Sequence, residues 1–167
     1  KRGATLVRAY DDPFVIAGQR TVGREIAEDM TALGLAPDIV VAPASGGGLI
    51  AGVATAVKAK FPQAQVIVAE PKDYDDHGLS LRAGHREAHH AAGRTICDAL
   101  MAAMPGELTF SINSKLLANG VIASDEEVGA AVAYAYRELK LVVEPGGAVG
   151  LAALLAGRID VRGKNIV

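Results

Sequence analysis

The chain has 167 residues, with 17 basic and 19 acidic side chains, a formal charge of -2, and half of its residues apolar but only 4% aromatic. That length suits one domain, and a core poor in rings must be built from Ala, Val, Leu and Ile between regular elements, as in a layered α/β protein. The charges are spread along the chain with no basic block to neutralise a row of phosphates, and no apolar run reaches the roughly 18 residues of a membrane span, so neither nucleic acid nor a bilayer is an expected partner.

Val22, Ile26, Met30 and Leu33 recur at helical spacing opposite Arg24, Glu25, Glu28 and Asp29, and predict an amphipathic helix of about three to four turns that stops at Gly34. After Pro37, the apolar run Ile39 to Ala42 predicts a strand covered on both faces. Gly46, Gly47 and Gly48 then open a second helix, whose buried positions Ile50, Val53, Ala54, Val57 and Phe61 lead to a stop at Pro62. Gln65 to Ala69 is the next strand, which makes a βαβ unit with parallel strands and a right-handed crossover.

From Glu70 to Gly93 the sequence turns irregular and rich in Asp, His, Gly and Arg, and reads as a long loop with one helix near Leu79 to Ala83. Ser124 and Glu127 have capping-box spacing, and Val128, Val132, Ala135 and Leu139 form the stripe of the helix that follows. Leu141 to Glu144 reads as a short strand, Gly146 to Leu155 as a buried helix closed by Gly157, and Asn165 to Val167 as the start of another strand. The expected architecture is a three-layer α/β domain over residues 1–167, a mostly parallel sheet with helices on both faces.

The segment Val41-Ala42-Pro43-Ala44-Ser45-Gly46-Gly47-Gly48-Leu49 places consecutive glycines between a buried strand and a helix N-terminus. Backbone N–H groups released there carry the positive end of the helix dipole and suit a phosphate without any lysine. The spacing is neither G-x-G-x-x-G nor G-x-x-x-x-G-K-[ST], which argues against a dinucleotide or a nucleoside triphosphate. A plain tight turn is the alternative, but three adjacent glycines cost more chain entropy than a turn requires.

This loop resembles the phosphate-binding loop of the threonine/serine dehydratase and serine racemase family, the fold type II pyridoxal-phosphate enzymes, with Ser45 where the family run has its first glycine. Three more segments carry the resemblance in the same order. Ala17-Gly18-Gln19-Arg20-Thr21 is similar to Ala-Gly-Gln-Gly-Thr, with Arg20 replacing a glycine. Thr95-Ile96-Cys97-Asp98 is similar to Thr-Ile-x-Asp-Gly, with Ala99 replacing the glycine near the cofactor, and Glu144-Pro145-Gly146-Gly147-Ala148-Val149 is similar to Glu-Pro-x-x-Ala/Gly-Val. The resemblance implies pyridoxal 5'-phosphate as cofactor, held at its phosphate by Ser45, Gly46, Gly47, Gly48 and Leu49, with Glu144 near its ring. At Glu144 ordinary strand-end turn chemistry is an equal reading.

The acidic run Glu70-Pro71-Lys72-Asp73-Tyr74-Asp75-Asp76 is by composition a solvated loop or a hard-cation site. The family's divalent-cation spacing, a Glu, a carbonyl four residues on and an Asp two further, falls on Glu70, Tyr74 and Asp76, and implies Mg²⁺, Mn²⁺ or Ca²⁺ there. His85 and His89 are four apart but lack the H-E-x-x-H arrangement, and read as solvated loop. Cys97, the single cysteine, reads as a buried thiol in a reducing, cytoplasmic protein.

The family holds its cofactor covalently through a lysine in a Ser-x-Lys-x-Arg-Gly-Ala type segment, which these residues do not contain; Lys1-Arg2-Gly3-Ala4 is a chance likeness. The resemblance therefore implies the binding part of a homodimeric dehydratase that releases a 2-oxo acid and ammonia from L-threonine or L-serine, with no catalytic residue here and no activity for this stretch alone. A serine racemase, or a dehydratase for another β-hydroxy amino acid such as hydroxyaspartate or an ectoine breakdown product, is the nearest alternative. A non-catalytic anion- or metal-binding domain is the alternative of another class.

Overall fold

The computed structural model describes residues 3–89 and 93–167. Helix α1 (Pro13–Ala32) is followed by strand β1 (Ile39–Pro43), α2 (Gly48–Lys60), β2 (Gln65–Pro71), α3 (Asp76–Ala83), α4 (Glu107–Leu116), β3 (Asn119–Ala123), α5 (Asp125–Tyr134) and α6 (Pro145–Leu155). The three strands are parallel in the order β1-β2-β3, with Pro43 opposite Ala69 and Ala69 opposite Val121, so their carboxyl ends open on one side of the domain. Beyond β1 the chain returns as a single parallel bridge, Ile39 to Ile166, so the pairing expected at Asn165 to Val167 begins there.

Alternate strand residues serve opposite faces, which is how one short sheet supports two cores. Val40, Ala42, Val66 and Val68 pack with Ile50, Val53, Ala54 and Val57 of α2, while Ala69 and Ala123 pack with Val128 and Ala131 of α5 and Ala148, Val149 and Ala152 of α6. Helices on both faces make the expected three layers.

Helix α1 differs from expectation. It begins at Pro13, capped by Asp12, whose carboxylate accepts the Phe14 and Val15 N–H groups. Its buried residues are Ile16, Gly23, Ala27 and Met30, whereas Val22 and Leu33 are exposed. The reason is the close crossing with α2. A Cβ on Gly23 would lie 2.6 Å from the Val53 carbonyl oxygen, and one on Gly52 would lie 2.6 Å from the Gln19 carbonyl carbon. Small residues, which carry little hydropathy signal, thus make the contact face.

Leu141 to Glu144 is not a strand. The segment leaves a π turn over Ala135–Leu139 through Lys140 at φ 60°, has no ladder partner among the described residues, and exposes Leu141 and Val142. Strand propensity alone does not supply a neighbouring edge. The irregular stretch after Glu70 is shorter than expected, since Glu70 and Pro71 finish β2 and α3 begins at Asp76. The Ser124–Glu127 capping box of α5 is present with both bonds, and α2 buries the stripe expected of it except Phe61, which is half-buried.

Candidate functional site

Two polar features meet beneath the carboxyl ends of the strands, the region where parallel α/β sheets bind ligands. The first is the glycine loop. Gly47 is the N-cap of α2 at φ 94°, in the left-handed region, and no side chain caps that helix, so its first N–H groups are left for a ligand. A side chain at Gly47 would also collide with its surroundings, because a Cβ would fall 2.4 Å from His77 Nε2. The loop lines a cleft of about 400 Å³ together with Ala9, Tyr10, Val15, Gln19, Ala99 and Leu100. This is a cradle that backbone donors and glycines alone can supply, and it fits a phosphate.

Ser45, Gly46, Gly47, Gly48 and Leu49 all lie on the wall of this cleft. The Ser45 hydroxyl accepts the Ala102 N–H at 3.1 Å, which ties the loop to the segment after Cys97. Ala99 and Leu100 line the same cleft. Glu144 is exposed at the N-cap of α6 and stands outside the cleft wall. Its helix approaches through Gly146, whose Cβ would lie 3.4 Å from Leu100. Tyr10, which sequence reasoning passed over, packs against the loop, where a Cβ on Gly46 would overlap its ring.

The second feature is a buried acidic pocket. Glu70 is fully buried at the end of β2, and its two carboxylate oxygens accept the His77 and Gly78 N–H groups, both at 2.8 Å, in the first turn of α3. Asp76 is 1% exposed, and neither of its carboxylate oxygens has a hydrogen-bond partner. Burial, reinforced by the charge of Glu70, raises its pKa from 3.8 to about 8. Glu70, Asp76 and His77 bring ligand atoms within 4.8 Å of one another. Tyr74 sits in the turn between them with its side chain buried, its hydroxyl donating to the Gly93 carbonyl and its ring 4.5 Å from that of His89.

The sequence reading missed His77, which links the two features. Asn113 of α4 places its amide nitrogen 3.3 Å from the Gly47 carbonyl oxygen and 3.3 Å from His77 Nε2. An amide nitrogen only donates, so His77 Nε2 accepts and its proton resides on Nδ1. That Nδ1 faces Glu70 Oε1 and Asp76 Oδ2, each at 3.6 Å. At that distance Nδ1 makes no hydrogen bond and, like both Asp76 oxygens, is buried without a partner, so the carboxylates remain the oxygen donors of the pocket, a set suited to a hard cation rather than zinc. His85 is exposed beside Glu87, as its solvated reading implies, but His89 is not solvated, since its ring packs on Tyr74 and both its ring nitrogens are buried without a hydrogen-bond partner. Cys97 is fully buried, and burial pushes its thiol pKa up, away from nucleophile behaviour.

A profile described as pyridoxal-phosphate dependent enzyme matches residues 1–167. The chain belongs to the family of pyridoxal-phosphate dependent enzymes. Among this family's characterised members, the L-threonine ammonia-lyase of Thermotoga maritima is 38% identical over 167 residues, covering 99% of this chain and 40% of that protein. The crystal structure of a threonine deaminase from T.th. superposes with a TM-score of 0.91 at 38% identity, covering 98% of this chain and 55% of the other. Maize serine racemase superposes at 0.87 with 34% identity, covering 98% and 49%. The chain thus spans about half, or less, of the length of the proteins it matches, and pyridoxal phosphate is the cofactor its family shares.

Proposed function

We propose that the protein carrying this chain is an ammonia-lyase that converts L-threonine or L-serine to a 2-oxo acid and ammonia, and that these residues form the part that binds the cofactor phosphate. The observation that carries this reading is the uncapped N-terminus of α2, with Gly47 left-handed, at the carboxyl end of β1. Its support is the likeness to proteins named threonine ammonia-lyase and threonine deaminase. Bound pyridoxal phosphate supplies an electron sink when the substrate loses its α-proton and β-hydroxyl. Ser45 to Leu49 hold the phosphate by backbone N–H groups, in a cleft that Ala99 and Leu100 also line. Glu144, at the N-cap of α6, is assigned to the ring side of the cofactor on its sequence motif alone.

A divalent cation, Mg²⁺, Mn²⁺ or Ca²⁺, is assigned to Glu70, the Tyr74 carbonyl and Asp76. The unpartnered, buried oxygens of Asp76 support this, because a carboxylate shut away from water is stabilised by a cation or a proton. No helix among the described residues is long and apolar enough to cross a membrane. We assign the full-length protein to the cytoplasm, as a homodimer, on the buried free thiol and the exposed Leu141 and Val142 that need a cover.

A racemase is the second reading, favoured by the likeness to maize serine racemase. The full-length protein, reconstituted with pyridoxal phosphate, should form 2-oxobutanoate from L-threonine and pyruvate from L-serine. D-serine as the main product would assign the racemase instead. Absence of any visible absorbance from bound cofactor would leave only an anion- or metal-binding domain.

A further inference from the structure

The donors of a phosphate loop are useful only while they point at the anion, and consecutive glycines are the residues least able to hold a peptide plane in place. In a trans peptide the carbonyl of one residue and the N–H of the next point in opposite directions, and every peptide bond among the described residues is trans. Fixing the Gly46 carbonyl therefore fixes the Gly47 N–H, and fixing the Gly47 carbonyl fixes the Gly48 N–H.

Helix α4 holds both carbonyls. The Gly46 oxygen accepts the Thr109 hydroxyl at 2.6 Å and the Gly106 N–H at 3.1 Å. The Gly47 oxygen accepts the Ala51 N–H at 3.0 Å, the first bond of α2, and the Asn113 amide at 3.3 Å. Thr109 and Asn113 are fully buried on the inner face of α4. Asp11 fixes that face in turn, since its carboxylate accepts the Leu108 N–H at 2.9 Å, the Thr109 N–H at 3.1 Å and the Glu107 N–H at 3.2 Å. A flip of the Gly46–Gly47 peptide would break the Thr109 and Gly106 bonds and turn a carbonyl oxygen, in place of an N–H, toward the anion.

We propose that Thr109 is a positioning residue for the cofactor phosphate, a latch that keeps the Gly46–Gly47 peptide from flipping, with Asn113 holding the next peptide. The proposal rests on the phosphate-loop reading above. It assigns Thr109 an effect on the phosphate alone, not on the rest of the cofactor.

The test uses the apo form of the full-length protein and compares its dissociation constants for pyridoxal phosphate and for pyridoxal, which lacks the phosphate, by fluorescence titration. Thr109→Val keeps the shape and removes the hydroxyl, and should lower the preference for the phosphorylated form roughly tenfold, about 1.4 kcal/mol. It should leave pyridoxal binding unchanged, and Thr109→Ser should restore the preference. Thr109→Ala makes the same test if the valine variant does not fold. An unchanged preference, an equal loss for both compounds, or failure of both variants to fold would overturn the latch and make Thr109 a core residue only. A wild-type protein with no preference for pyridoxal phosphate over pyridoxal would instead refute the phosphate loop itself.

Discussion

Removing or supplying a divalent cation should change the stability of this domain in a manner set by Asp76. With its pKa raised from 3.8 to about 8, the folded protein keeps a proton that the unfolded chain releases above about pH 4. Cation-free stability is thus fullest below about pH 4 and falls as pH rises toward 8, by at most about 1.4 kcal/mol per pH unit. A cation at Glu70 and Asp76 replaces that proton, so apparent affinity should weaken about tenfold for each pH unit below about 8, roughly a hundredfold by pH 6. At 100 times its dissociation constant the cation should add about 2.7 kcal/mol, a melting shift of about 5 to 10 °C. Thermal melts with Mg²⁺ or Ca²⁺ against chelator, at pH 6 and at pH 8, read both effects. Asp76→Asn with Glu70→Gln should abolish the cation shift and flatten the pH slope. An equal cation response in the double variant and the parent would show that these carboxylates hold no cation and leave the pocket a buried polar cluster.

Gly47→Val forces a β-branched residue to φ 94° and against His77, and should abolish the preference for pyridoxal phosphate in the same titration while costing a few kcal/mol of stability in denaturant melts. The 167-residue chain by itself should give no borohydride-stable, stoichiometric adduct with pyridoxal phosphate and no 2-oxobutanoate from threonine; turnover would make one of its own lysines the reactive group. Asp11→Ala removes the cap of α4 and should lower stability by about 1 to 2 kcal/mol, measured as a shift of the urea midpoint at constant slope.

The βαβ unit and its loop were legible because their signals are local: an unbroken apolar strand, three glycines, then an i, i+3, i+4, i+7 stripe. Helix α4 was not, because two of its three buried residues are Thr109 and Asn113, which hydropathy counts as surface. Strand β3 opens on Asn119-Gly120, ordinarily a turn signal, and keeps only Ala123 buried. At the site, the order of strand, glycines and helix pointed to an anion at this loop and the family resemblance named Ser45 to Leu49, which line the cleft; Glu70, Tyr74 and Asp76 were named by the family's cation spacing, and Glu70 and Asp76 lie together in the buried pocket. His77 and Tyr10 were not named, because their roles come from elements that meet only in three dimensions. Glu144 shows the converse, a recognisable motif whose side chain stands outside the cleft.

The clamp that joins Asp11, Gly46 and Thr109 has a consequence for the order of folding. Its three parts are far apart in the chain, so the glycine loop acquires its fixed peptide planes only after the N-terminal arm and α4 have closed on each other, a late event for contacts of such separation. The helices and the first two strands can form earlier without it. Competence to capture the cofactor should therefore return on refolding later than helical ellipticity, and the cofactor should act on the finished domain rather than as a template for it.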